Sequence, residues 1–308
     1  MSNYKNKIAI TTGDPNGIGA EITIKALNQL DLPEDKIILI SNKKVLDFYG
    51  KLYKNYEIIE IPYNGNILPG VITKEAGEFS FQSLKKVCEI KPKAIVTAPV
   101  AKNALHLAGH VYNGQTEVLQ KYLAHDNQLA EMLFVARNFR VLLLTRHCAL
   151  KEINLTKDIV ITKIKNLVKT FEKHFGIKNP KFALCGFNPH AGEDGILGRE
   201  ELDILIPAVE ELQKQGINIT KPLPADTLFV KAAKYYFNNQ KDEYDCYIAN
   251  YHDQGLIPIK TVAGEKTVNT TIGLDIIRTS PGHGTAFDIA GKNIASPDSM
   301  IEAIKEVL

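Results

Sequence analysis

Short apolar runs alternate with stretches of helical period along the first hundred residues, and that alternation limits the possible folds more than any other feature. Residues 7–12, 37–41 and 94–99 are each apolar and short enough for a buried strand. Between them, residues 20–30, 45–49 and 79–90 carry apolar side chains at helical spacing, while residues 58–77, with Pro62, Gly65, Pro69 and Gly70, read as loop-rich. The order βαβαβ predicts an α/β protein with a mostly parallel sheet and helices on its faces. Further on, residues 134–135 and 141–145 predict a hairpin, so an antiparallel pair joins the sheet. Helices are expected over 158–175 and 200–215, and strands over 182–187 and 244–248. Thr116 or Asn113 is the expected cap of a helix after Gly114, and Asp226 or Thr227 of one after Pro224.

Composition removes several function classes. The chain has 308 residues with 37 basic against 35 acidic, so neither nucleic acid nor an anionic membrane is an expected partner. No apolar run reaches membrane-spanning length, and Met1-Ser2-Asn3-Tyr4-Lys5 leads directly into a strand rather than a secretory signal. Cys88, Cys148, Cys185 and Cys246 are scattered and read as reduced thiols of a cytoplasmic protein.

Chemistry concentrates between residues 248 and 291. A strand there ends at Tyr251-His252-Asp253-Gln254-Gly255, and Lys260, Asn269, Arg278 and His283 follow among apolar residues that must be packed. Convergent polar groups in an apolar lining are the signature of a pocket. His147, His190 and His252 each follow a short apolar run, and in a parallel sheet such ends share one edge. Singly, each is accounted for by ordinary hydrogen bonding at a strand end. Jointly they predict a divalent metal with open positions; imidazole suits zinc, cobalt or manganese. Gly13-Asp14-Pro15-Asn16-Gly17-Ile18-Gly19 joins the first strand to a helix. It is either an anion-facing loop or a tight turn that needs glycine, and it fits neither the dinucleotide fingerprint nor a P-loop.

Together these motifs, with Asn188-Pro189-His190-Ala191-Gly192-Glu193, Leu223-Pro224-Ala225-Asp226-Thr227 and Arg278-Thr279-Ser280, resemble the 4-hydroxythreonine-4-phosphate dehydrogenases of vitamin B6 synthesis over nearly the whole chain. The run from His283 through Gly284, Thr285 and Asp288 to Gly291 is similar to the adenosine-holding loop of isopropylmalate-type decarboxylating dehydrogenases. That likeness implies binding of NAD or NADP without a Rossmann fingerprint. The resemblance implies a two-lobed α/β/α sandwich, isocitrate/isopropylmalate dehydrogenase-like, working as a homodimer with a shared active site. Residues 1–100 with 265–308 are the expected nucleotide-binding lobe, and 101–264 the metal, substrate and dimerisation lobe. It also implies that His147, His190 and His252 ligate the ion, zinc, magnesium or cobalt. Gln115, Thr116, Lys260, Asn269 and Arg278 would hold a phosphorylated substrate, with Lys260 and Asp253 as catalytic groups. Asp253 is equally suited to orienting His252. Across the dimer, His252 is expected to come from the partner chain. Where the family reads Gly-His-Thr, this chain has Gly114-Gln115-Thr116, and Gln115 cannot become a cation. Oxidation of a four-carbon sugar-acid phosphate, a metal-dependent hydrolase or lyase, and a phosphate-binding module are the rival readings.

Overall fold

A computed structural model describes residues 4–125 and 128–308. Its first run of elements is β1 (Ile8–Thr11), α1 (Gly19–Leu30), β2 (Ile37–Ser41), α2 (Lys43–Tyr49), β3 (Glu57–Glu60), α3 (Lys74–Ile90), β4 (Ala94–Thr97), α4 (Lys102–Leu107) and α5 (Gln115–Leu123). The middle of the chain gives β5 (Glu131–Ala136), β6 (Phe139–Leu143), α6 (Lys157–His174), β7 (Lys181–Leu184), α7 (Ile206–Lys214), β8 (Asn218–Ile219), α8 (Ala225–Phe237), β9 (Cys246–Ala249) and α9 (His252–Ala263). The last elements are β10 (Val268–Ile272), β11 (Arg278–Pro281) and α10 (Asp298–Lys305). By compactness the chain divides into Met1–Ala130 with Val268–Leu308, and Glu131–Thr267. The first cut falls later than the expected boundary at residue 100, because α4 and α5 pack on α3.

In the first unit the strands lie in the order β3-β2-β1-β4-β11-β10. All neighbours are parallel except β10, which runs antiparallel to β11. β1, β2 and β4 are buried along their whole length, as a strand covered on both faces must be. Ala9, Ile38, Ile40 and Ile95 form one face, packed with Phe79 and Val87 of α3 and Leu119 of α5. β3 lies in the segment expected to be loop. Its Glu57 and Glu60 flank two half-buried isoleucines, the polar profile of an edge strand, and the flanking Pro and Gly mask it. Thr73 Oγ1 caps α3 by accepting from Ala76 N, which starts that helix five residues before its first large apolar side chain, Phe79.

In the second unit the order is β5-β6-β9-β7-β8. β5 and β6 form the expected hairpin, and β6, β9, β7 and β8 are mutually parallel. Phe134, Phe139, Val141, Tyr247 and Ala249 line one face under Phe229 of α8 and Leu256 and Ile259 of α9. Phe182 turns to the other side, with its ring 5.5 Å from that of Phe171 on α6. The expected caps are corrected. α5 begins behind Gly114 and α8 behind Pro224, neither with a side-chain cap bond, so Asn113, Thr116, Asp226 and Thr227 do not cap. Cys88, Cys185 and Cys246 are buried free thiols and Cys148 is exposed. Among the described residues no helix is long and apolar enough to cross a membrane.

Candidate active site

The parallel run β6, β9, β7 brings three strand ends to one edge of the second unit. The ends are fastened to one another. Thr145 Oγ1 donates to Asn250 O at 2.7 Å, and Asn250 Nδ2 donates to Cys185 O at 2.9 Å. Gln254 completes the tie, accepting from Asn250 N at 2.7 Å and donating to Gly186 O at 2.7 Å. This buried amide network sets where α9 begins, and so where its first residue, His252, stands. The His252 ring centroid is 5.4 Å from that of His147. Asp253 Oδ1 lies 2.7 Å from His252 Nδ1, an arrangement that fixes the tautomer and leaves Nε2 to meet a ligand. A cavity of about 300 Å³ is lined by Arg146, His147, Cys148, Tyr251, His252 and Asp253.

Two imidazoles on one tetrahedral ion have their ring centres about 5 Å apart, so the His147–His252 pair fits two ligands of a divalent metal. His190 stands differently. It is exposed on a turn at 189–195 and does not line that cavity. Among the described residues no group of three His, Cys, Asp or Glu gathers as a metal-binding set. Within the single chain, His252 is the imidazole nearest His147 for which a ring contact is found. Lys260 is exposed in the last turn of α9, about 12 Å along the helix axis from His252.

The first unit holds the other predicted residues. Arg278, the first residue of β11, is 3 % exposed. Its Nε and Nη2 both donate to Thr97 Oγ1, at 2.9 and 2.6 Å, and its Nη1 to Thr271 Oγ1 at 3.3 Å. Burial pushes this guanidinium down to about 10, against the attraction of Glu117. A buried cation whose described hydrogen-bond partners are neutral hydroxyls is suited to receive an anion. Next to Thr97, Ala98 O accepts from Gln115 Nε2 at 3.1 Å, which orients the amide and leaves Oε1 buried without a partner. Asn269 Oδ1 is also buried and unpartnered. Thr116 is buried in the first turn of α5.

The turn at residues 13–19 belongs to the loop at 283–291. Ile18 N donates to Thr285 O at 3.1 Å, and a Cβ on Gly17 would stand 3.0 Å from Thr285 Cβ. Gly13 has φ +70°, and a Cβ there would meet Pro99 O at 2.2 Å. Close backbone approach accounts for both glycines. Asn16 is a buried hub: Nδ2 donates to Val71 O at 2.8 Å, and Oδ1 accepts from Leu68 N at 2.8 Å. The nucleotide candidates are thus backed from below. His283 Nδ1 lies 3.0 Å from Gly284 O, and Gly284 and Asp288 are exposed.

Asp14 in the same turn is fully buried, and desolvation raises its carboxyl to about 6 despite backbone hydrogen bonds from Asn16 and Ala101. An acid with a raised folded pKa favours the fold at low pH, and that contribution is lost as pH rises from about 4 to about 6. Asp14→Asn keeps an acceptor and removes the charge. It is expected to stabilise the protein at pH 8 by up to about 3 kcal/mol, with no gain below pH 4. Thermal unfolding at the two pH values checks this.

Asn250, Thr97 and Thr271 position the predicted residues yet carry no distinguishing sequence signal, since each reads as a strand or turn residue; Gln254 lies in a motif that stands out, but its histidine and aspartate draw the attention. Asp14 and Asn16 do lie in a motif that stands out, but its glycines draw the attention.

Over residues 6–307 the sequence matches the family described as pyridoxal phosphate biosynthetic protein PdxA. The chain belongs to the PdxA family. A 4-hydroxythreonine-4-phosphate dehydrogenase of Sulfurihydrogenibium is 39% identical over 97% of this chain and 96% of the relative. A D-threonate 4-phosphate dehydrogenase of Pectobacterium atrosepticum is 36% identical over 97% of each. The crystal structure of 4-hydroxythreonine-4-phosphate dehydrogenase from Klebsiella pneumoniae superposes with a TM-score of 0.85 at 32% identity, covering 98% of both chains. Isocitrate dehydrogenase from Methylococcus capsulatus has the same fold, with a TM-score of 0.52 at 14% identity over 98% of this chain and 85% of that one. The α/β architecture expected from the strand and helix pattern, with its mostly parallel sheet, is therefore that of the PdxA family and of isocitrate dehydrogenase. Like its PdxA relatives, the chain is an oxidoreductase of pyridoxal phosphate biosynthesis.

Proposed function

We propose that this chain oxidises 4-(phosphooxy)-L-threonine at its C3 hydroxyl with NAD or NADP. The β-keto acid formed loses CO2 to give 3-amino-2-oxopropyl phosphate on the route to pyridoxine phosphate. The observation that carries this reading is the buried Arg278 guanidinium on Thr97 and Thr271, beside the unpartnered acceptors Gln115 Oε1 and Asn269 Oδ1. That set matches an anionic phosphate on a backbone rich in hydroxyl and ammonium donors. Lys260, exposed in the last turn of α9, is a further candidate for substrate binding and catalysis. His147 and His252 would hold a divalent ion, with His190 as the proposed third ligand. Such an ion, zinc, magnesium or cobalt, lowers the alcohol's pKa. Asp253 keeps the His252 ring in place and is the candidate acceptor for the hydroxyl proton. The loop from His283 through Gly284 and Thr285 to Asp288 binds the adenosine of the dinucleotide.

A second reading, oxidation of D-threonate 4-phosphate, is supported by the similarity to the D-threonate 4-phosphate dehydrogenase of Pectobacterium atrosepticum. Reduced-nicotinamide absorbance with each substrate decides between them. The hydroxythreonine phosphate is expected to give at least a tenfold higher kcat/KM; the opposite order overturns the assignment, and no NAD reduction with either sinks the dehydrogenase reading.

The protein is further proposed to be a cytoplasmic homodimer with an active site built from both subunits. Arg278→Ala and His252→Ala are each expected to be inactive. Mixed in equal amounts and allowed to exchange, they form mixed dimers in half the population, each with one intact site. Activity then returns to roughly a quarter of the unmutated level, by the counting that two-fold symmetry imposes. A mixture that stays inactive although mixed dimers form places the whole site in one chain.

A further inference from the structure

His190 stands on backbone that its side chain type rarely adopts. From His190 to Asp194 every residue has positive φ: 54° at His190, 53° at Ala191, 81° at Gly192, 46° at Glu193 and 55° at Asp194. Left-handed conformation costs a non-glycine residue roughly 1–2 kcal/mol, and four of these five are not glycine. Such a run persists only when its surroundings over-determine it. The turn therefore needs a brace.

One buried carboxylate supplies it. Glu201 is 2 % exposed and opens a π-helical turn at Glu201–Leu205, an irregularity often found beside functional groups. Its Oε1 accepts from Asn188 N at 2.7 Å and its Oε2 from Asn188 Nδ2 at 2.9 Å. Asn188 is two residues before His190, so both bonds anchor the entry to the left-handed run. On the other side, a Cβ on Gly192 would stand 2.6 Å from Glu201 Oε2, so only glycine lets the turn close over the carboxylate. Glu200 Oε2 takes a further bond from Asn188 Nδ2 at 2.6 Å.

We propose that Glu201 is a positioning residue: its carboxylate, clamped on Asn188 and covered by Gly192, holds the left-handed turn that presents His190 to the divalent ion. The inference rests on the reading of His190 as a metal ligand. Groups that orient a ligand without touching the ion typically change metal affinity 10- to 100-fold when removed.

The test uses full-length protein without substrate or nucleotide, and Co²⁺ as the probe. Co²⁺ affinity, read from its visible absorption, is measured for the unmutated protein, His190→Ala, Glu201→Ala and Glu201→Gln. Amide hydrogen exchange at Ala191, Ile196 and Leu197 is followed in the metal-free proteins. His190→Ala and Glu201→Ala are both expected to weaken Co²⁺ at least tenfold, and Glu201→Ala to speed exchange at the three amides. Glu201→Gln fills the same space and keeps one acceptor for Asn188 N, so it is expected to recover part of the affinity. If Glu201→Ala binds Co²⁺ as the unmutated protein does while His190→Ala does not, Glu201 is a structural residue only and the proposal fails. Unchanged exchange in Glu201→Ala likewise removes the brace. If His190→Ala leaves affinity intact, the ligand reading of His190 is itself wrong. Should Glu201→Ala not fold, Glu201→Gln and Gly192→Ala carry the same comparison.

Discussion

Stripping divalent ions with a chelator is expected to abolish NAD reduction and to leave the far-ultraviolet circular dichroism nearly unchanged. The reason lies in where the imidazoles stand. His147 is exposed and His252 only half-buried, and both sit beyond the ends of β6 and β9 rather than among the buried side chains of the sheet. The network that fixes them, Thr145, Asn250 and Gln254 with the carbonyls of Cys185 and Gly186, is made of protein alone. Loss of the ion therefore removes the linkage stabilisation that any bound ligand gives and nothing more. Adding back zinc, magnesium or cobalt separately, and measuring initial rates, identifies the ion that restores turnover. A chelated protein that loses its dichroism would make the metal structural and leave the proposed oxidation without its electrophile.

The second large effect belongs to Arg278. Arg278→Lys keeps the positive charge but not the fork, and the burial that already lowers the guanidinium to about 10 would fall on a more strongly hydrated ammonium. A lysine cannot reach Thr97 and Thr271 at once with the fixed geometry of the fork, so at least one hydroxyl loses its donor. Disturbing a buried, hydrogen-bonded charge typically costs 2–5 kcal/mol, and kcat/KM is expected to fall on the order of a hundredfold or more, chiefly through KM. The control is the dephosphorylated substrate. If the unmutated protein turns it over as well as the phosphorylated one, Arg278 does not bind phosphate.

Much of this was legible from residue order. Buried strands announce themselves as short apolar runs, and a parallel sheet then forces their ends to one edge, which is how His147 and His252 are brought within 5.4 Å from opposite ends of a hundred-residue stretch. Charged and ring-bearing residues are conspicuous because they are costly to bury without a purpose. Their supports are not. Asn250, Thr97 and Glu201 act through hydrogen bonds whose partners lie many residues away, and nothing in the local pattern distinguishes them from turn or surface residues. β3 escapes for a related reason: an edge strand buries one side at most, so its apolar signal is halved. The left-handed turn at His190 is invisible as well. Only two glycines in Gly192-Glu193-Asp194-Gly195 hint at positive φ, and the non-glycine residues there contradict their own preferences.

The placement of β11 has a consequence for how the chain is assembled as it is made. β11 lies between β4 and β10, so the sheet of the first unit lacks an inner strand until residues 278–281 have been synthesised. Glu131–Thr267, in contrast, is continuous and carries β5, β6, β9, β7 and β8 on one uninterrupted stretch. The later-coded unit can therefore close first, while β1, β2 and β4 wait with an open edge for a strand from the end of the chain. Until then the edge of β4 that β11 will cover is an open template for mispairing.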